Sequence, residues 1–319
     1  MGPLLFLIFI NDLPNATEFL TLLFADDTTF QVSGPDLEQM FDLANSELKK
    51  AAVWFKANKL TLNVKKTKFM IFSDTNSNVG TNTLYIGNQR VEQVGTNFEE
   101  KYFFVGHVLD DKLSWEGHLE HISKKLASAN FGINSSKNLL PYKIRRTLYY
   151  SLFDSHLNFG NLLWGCAKTK FINKIENLQK RCIRNVALKS FRAHTEPLFK
   201  ELKILKFQDK FSYCRAIFMH KYRHGKLPTS FSGIFTDTTM TDEMQSRHND
   251  YNYLNLPANK KCLENFPLKQ IIFNWNSLSL ELKSTAEPLE FETLLKQNYL
   301  SQYSSENDCF GNCFSCSQA

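Results

Sequence analysis

Residues 20–32, LTLLFADDTTFQV, decide how the first third of the chain is read. Two adjacent carboxylates, Asp26 and Asp27, stand between two short runs rich in Leu, Phe, Thr and Val. Such β-prone runs around a polar pair predict a buried hairpin, with strands over 19–24 and 28–32 and Ala25-Asp26-Asp27 at the turn. Both acids are ionised at neutral pH and repel one another. A divalent cation removes that conflict. Mg2+ takes one or two carboxylates and fills its shell with phosphate oxygens and water. A strand sends neighbouring side chains to opposite faces, whereas a turn lets at least one of them face a metal. Asp pairs are also common in plain solvent-exposed turns, so the dipeptide admits both readings.

Outward from the hairpin, Ser33-Gly34-Pro35-Asp36 supplies a cap, a proline and an acid, the signature of a helix start. Leu37, Met40, Phe41, Ala44, Leu48, Ala51 and Phe55 then recur at helical spacing, and Asn58 is a plausible stop. Further short strands are predicted over 60–63, 69–72, 83–86 and 101–109, so residues 1–113 form an α+β layer. The opening MGPLLFLIFI imitates a signal peptide, but it lacks a basic start and a small-x-small cleavage site. It is too short to span a bilayer and is expected to be buried. No other run reaches membrane length, and no membrane partner is expected.

After Trp115 the texture becomes helical and basic. Leu119, Ile122, Leu126, Ala129 and Ile133 form one apolar stripe, with Lys124 and Lys125 beside it. Pro141 opens a second helix through Ile144, Leu148 and Leu152, with Lys143, Arg145 and Arg146 in its first turn, against the helix dipole. A third stripe runs from Phe171 to Val186, and Lys174, Lys180, Arg181 and Arg184 lie on its other side. Residues 121–226 hold 22 Lys/Arg against 5 Asp/Glu, a net +17 in a chain whose whole is +6. That bias predicts a folded face aimed at something anionic. The alternative is an ordinary solvated helix surface.

The 319 residues suffice for two or three domains. The divisions expected are 1–113, 114–190, a mainly helical 191–308 with an irregular segment near 228–259, and a Cys-containing tail at 309–319. Seven scattered Cys, an odd number, argue for free thiols in a reducing compartment, hence an intracellular protein of nucleus or cytoplasm. Cys309, Cys313 and Cys316 have metal-like spacing, but tetrahedral zinc needs a fourth ligand, so zinc is not expected there. His220, His224 and His248 read as surface or phosphate-facing groups. The 28 Phe supply core, and some could serve as stacking faces for bases.

The motifs, taken in order, resemble those of non-LTR (LINE-type, jockey-like) retrotransposon reverse transcriptases. LLFADDTTF at 22–30 resembles the [FY]-x-D-D core, and GPLLFLIFINDLP at 2–14 the segment before it. KLTLNVKKTKFMIF at 59–72 is similar to the next motif. VGHVLDDKLSWEGHLEHISKKLA at 105–127 resembles the primer-grip hairpin and the start of the thumb. LFDSHLNFGNLLWG (152–165) and IENLQKRCIRNV (175–186) are similar to thumb helices. IIFNWNSL (271–278) and FETLLKQNYL (291–300) resemble the far C-terminal segment.

The resemblance implies an α+β fold, a partial polymerase palm followed by a mainly α-helical thumb and C-terminal region. Asp26 and Asp27 become the catalytic metal pair for Mg2+ or Mn2+. Lys66 becomes a cation near the triphosphate, and Gly106 a close-approach residue of the primer grip. Trp115 and His118 fall at thumb positions or pack in the core. Lys124, Lys125, Lys143, Arg145, Arg146, Lys180, Arg181 and Arg184 would contact nucleic acid. The partners implied are an RNA template and DNA primer, or an RNA–DNA duplex, with a complete element-encoded polymerase as a further one. The family's fingers, its Gln-Gly and its upstream aspartate have no counterpart in this sequence. Phe104-Val105-Gly106 and Leu278-Ser279 also depart from the usual Tyr/Phe-Leu-Gly and Leu-Pro. A fragment that binds template–primer and is inactive alone is therefore expected. The alternatives are a non-catalytic nucleic-acid-binding protein and an unstable relic of a mobile element.

Overall fold

The structure, a computed structural model, describes residues 1–73, 82–95, 102–236, 251–254 and 266–304. Met1–Leu113 and Ser114–Ala319 form two compact units. Together they make a mixture of helices and small sheets, an α+β protein.

The first unit begins with α1 (Gly2–Ile10), a 3-10 turn (Leu13–Ala16) and the hairpin β1 (Leu20–Phe24) and β2 (Asp27–Gln31). The long helix α2 (Leu37–Ala57) follows, starting at Asp36 because that carboxylate accepts hydrogen bonds from the Glu38 and Gln39 amides at 2.8 and 3.2 Å. Its predicted stripe is the one it buries. Ala51 and Phe55 join Ile10 and Leu13 in one cluster, and Ala44 and Leu48 join Phe19 in another. Phe30 packs against both. Glu47 is buried beside them, accepting from the Glu18 amide at 2.8 Å and paired with Lys50 at 2.6 Å.

The remaining strands are very short: β3 (Lys68–Phe69), β4 (Tyr85–Ile86), β5 (Gln89–Arg90), β6 (Glu92–Gln93), β7 (Tyr102–Phe104) and β8 (His107–Leu109). They pair two by two, β4 with β5 and β7 with β8 antiparallel, β3 with β6 parallel. The strand expected over 60–63 does not form. The Leu60 amide instead caps α2 on the Phe55 carbonyl, and Asn63 closes a tight turn.

Two expectations of burial fail here. In α1 only Ile10 is buried, and Leu4, Leu5 and Ile8 are exposed. A helix apolar on all sides can seat one stripe on a core this narrow, so the other faces water. Leu20, Leu22 and Phe24 of β1 also point outward, so the hairpin is covered on one face, not two. Among the described residues no helix is long and apolar enough to cross a membrane.

The second unit is helical: α3 (Glu116–Ser136), α4 (Tyr142–Leu148), a π-helical turn (Tyr149–Asp154), α5 (Ser155–Asn158), α6 (Asn161–Trp164), α7 (Thr169–Val186), α8 (Glu196–Leu202), α9 (Phe207–Arg223), α10 (Pro267–Asn276), α11 (Leu280–Ser284) and α12 (Pro288–Ser301). The α3 stripe meets the α7 stripe in a core that also takes Trp164, Phe199, Phe207 and Tyr303, drawn from both sides of residue 190. Trp164 is fully buried, donates to the Phe159 carbonyl at 2.8 Å and lies edge-on to Phe211 at 5.2 Å. His118 is buried 5.8 Å from it, a core position. A second core gathers Met219, Ile272, Trp275, Phe291 and Leu295.

The histidines correct a reading. His220 is buried, hydrogen-bonded to the Thr285 carbonyl at 2.8 Å and stacked on Phe291 at 4.3 Å, so it does not face phosphate. His224 lies against it, ring to ring at 4.4 Å. His248 and the cysteines at 309, 313 and 316 lie outside the described residues.

Candidate functional site

In the first unit, β1 and β2 pair from Leu20↔Gln31 to Phe24↔Asp27, which leaves Ala25 and Asp26 as the two-residue loop. Two-residue hairpin loops need a positive φ, and Ala25 supplies it at 53°. Asp26 is therefore the loop residue and Asp27 the first residue of β2, both exposed. Asp27 has company. It is one of two charges that act on the Tyr102 hydroxyl at the start of β7. Burial first, then the Asp27 carboxylate, raise the Tyr102 pKa, while Lys68 on β3 opposes them. Lys68 is in turn ion-paired with Glu92 on β6. Asp27 and Lys68 thus both act electrostatically on Tyr102.

Lys66, the predicted cation, sits on the Asn63 turn, where its amide bonds to the Asn63 carbonyl at 3.0 Å, and its side chain is exposed. A second lysine of this segment, Lys68 on β3, acts on Tyr102 together with Asp27. Gly106 (φ 80°) and Val105 (φ 44°) form the loop between Phe104 and His107. Glycine meets that conformation freely, but valine does so at a cost, because its β-branch crowds the backbone. Among the described residues no three His, Cys, Asp or Glu side chains converge as a metal site. The donor chemistry of Asp26 and Asp27 fits two positions of a Mg2+ shell.

In the second unit, α3 and α7 leave a groove along their outer faces. One cavity of about 460 Å3 has Lys137, Arg181, Arg184 and Lys189 among its walls, and an adjoining one of about 360 Å3 has Lys124, Lys174 and Arg181. The two share Ala127, Leu178 and Arg181 and so continue one another, with no acidic side chain among their walls. Burial first, then the charge of Arg181, depress the Arg184 pKa, a sign that like charges are crowded together. Lys124 reaches Glu120 at 3.5 Å, an exposed pair of small worth.

The predicted basic residues divide. Lys124, Arg181 and Arg184 line the groove, joined by Lys137, Lys174 and Lys189. Lys125, Lys143 and Lys180 do not line it; Lys180 precedes Arg181 by one residue, about 100° around α7. Arg146 lies over the Tyr150 ring at 5.4 Å. Arg145 stands apart from the groove: it is buried, and its guanidinium donates to the carbonyls of Val186 (2.8 Å), Leu140 (2.5 Å) and Lys137 (3.3 Å). Those carbonyls lie at or just beyond the C-terminal ends of α7 and α3, where a cation is favoured, so these bonds tie Arg145 into the fold. Sequence reasoning also missed Phe131 and Phe191, both exposed at the groove. The available signal was Phe131 standing off the apolar stripe, seven residues from Lys124 and so on its face.

No family model matches the chain, and no solved structure matches it. Among curated proteins it is similar to the RNA-directed DNA polymerase from mobile element jockey of Drosophila melanogaster, at 23% identity over 222 residues. The match covers 66% of this chain and 23% of that protein, so the chain spans about a quarter of its relative's length. The likeness carried by the motifs is thus a distant relationship to a non-LTR retrotransposon polymerase.

Proposed function

We propose that the chain is a piece of a retrotransposon RNA-directed DNA polymerase that holds template–primer nucleic acid, with part of the palm in 1–113 and the thumb in 114–190. The observation that carries this is the α3/α7 groove, cationic along its length and free of acidic walls. Contacts from Lys and Arg to phosphates position a duplex without reading its sequence, which is the task of a polymerase thumb. Its site of action is intracellular.

Asp26 and Asp27 are assigned to Mg2+ or Mn2+. Bound there, the ion would polarise phosphoryl oxygens and ease ionisation of a hydroxyl nucleophile. The protein's own part is to hold Asp26 on the hairpin loop and Asp27 at the first position of β2, adjacent in the chain. Polymerase activity of the chain alone is assigned as nil or nearly so. The cationic groove also supports a second reading, a nucleic-acid-binding protein without chemistry.

Fluorescence anisotropy with a labelled RNA–DNA hybrid tests the binding. Affinity should fall steeply with salt, and Arg181→Ala should reduce the salt slope by about one. Absent or salt-independent binding overturns the proposal. Mg2+-dependent binding that disappears in Asp26→Ala, Asp27→Ala separates the first reading from the second. Primer extension above that same double variant would overturn the assigned inactivity.

A further inference from the structure

At one end the α3/α7 groove stops being purely cationic. Phe131 on α3 and Phe191 beyond α7 both line the larger cavity, 72% and 75% exposed. Two phenyl rings held in water on one cavity are unfavourable unless something covers them. Phe191 is held in place: Arg184 donates to the Ala193 carbonyl at 2.8 Å, and the Lys189 amide bonds to the Arg184 carbonyl at 3.0 Å. That ties the loop carrying Phe191 to the last turn of α7. The same cavity has amide side chains among its walls. Lys137 donates to the Asn185 oxygen at 3.1 Å, and Asn185 donates to the Asn130 oxygen at 2.9 Å. In this chain of bonds the Asn130 oxygen accepts, its NH2 group is a donor, and Asn134 also lines the cavity.

A duplex offers phosphates to such a groove but hides its base faces in its own stack. An unpaired nucleotide offers both a phosphate and two open π-faces. We propose that the Phe131/Phe191 end of the groove is a site for an unpaired base of a single strand, whose phosphates run along Arg184, Arg181, Lys174 and Lys124. The rings stack on the base, and the amides meet acceptor atoms on its edge. The cavity, about 460 Å3, falls in the size range of small-ligand pockets. The proposal rests on the groove's being a nucleic-acid site, and it adds the ligand: a single strand, or the single-stranded overhang of a template, where the reading above needs only a duplex.

The test uses the full chain and three labelled probes in fluorescence anisotropy: oligo(U), oligo(dT) and a blunt RNA–DNA hybrid. Phe131→Ser with Phe191→Ser should weaken single-strand binding by about tenfold or more, and leave the blunt hybrid unchanged. Phe131→Trp should retain single-strand affinity. Arg181→Ala should weaken all three probes. Loss on either single strand supports the site, and the strand held more tightly identifies its source as RNA or DNA. Because both rings are exposed, the double variant should keep the wild-type circular dichroism melt. Unchanged single-strand affinity in the double variant, or an equal loss on the blunt hybrid, overturns the base site while the phosphate groove stands. If wild type binds none of the probes, the groove reading fails and the base site with it.

Discussion

At the β1–β2 tip, Asp26 is in the two-residue loop and Asp27 opens β2, and the outward face of the strand behind them is Leu20, Leu22 and Phe24 in water. On α7, Arg181 and Arg184 also crowd one another, but the reverse face of their helix is fully buried through Ile175, Cys182, Ile183 and Val186. Both regions concentrate like charge. The basic groove sets that repulsion against a deep core, so its geometry is rigid without a ligand. The acidic tip has little packing to set against it, so a bound cation would supply much of its order. The lesson is that preorganisation of a charged site is a property of what lies behind it.

The largest expected effect falls on the core behind the groove. Trp164→Ala should destabilise the second unit by about 3–5 kcal/mol, since it empties a fully buried indole site and breaks its bond to Phe159. Limited proteolysis within Ser114–Ala319 and hybrid anisotropy would both report it. A variant that resists protease and still binds would show that the groove does not depend on that core.

Next in size is the contrast between neighbours. Arg145→Met leaves buried carbonyls of Lys137, Leu140 and Val186 without their donor and should cost about 1–3 kcal/mol in a urea melt. Arg146→Met removes a partly exposed ring contact and should cost under about 1 kcal/mol. Equal costs would refute the separate roles.

The smallest effect is with pH. Burial is the first cause that lowers the pKa of His156, His220 and His224 in the second unit, and of His107 in the first. A histidine whose folded pKa lies below its ordinary 6.5 takes up its proton more readily when the chain unfolds. Stability is therefore full above pH of about 6.5 and declines as pH falls from there toward the lowered folded values. Hydrogen exchange should show the decline chiefly in α9, which carries His220 and His224. Protection in α9 that rises on acidification would contradict it.

Much was legible along the chain. The α2 stripe and its Asp36 cap, the hairpin around Asp26 and Asp27, the α3 and α7 stripes and the basic bias of 121–226 all follow from patterns a few residues long. Hydrophobic spacing and turn chemistry act locally, so neighbours in sequence suffice to state them. Other features depended on which segments cross. Arg145 looked like its neighbours Lys143 and Arg146 until the ends of α3 and α7 brought carbonyls to it. Lys68 meets Glu92 because β3 pairs with β6 in a register that sets those two residues opposite one another. Phe131 and Phe191, sixty positions apart, share one cavity through helix packing. A charge or a ring has no fixed role until long-range contacts settle whether water, a carbonyl or open space lies beside it, and no local pattern encodes that distance.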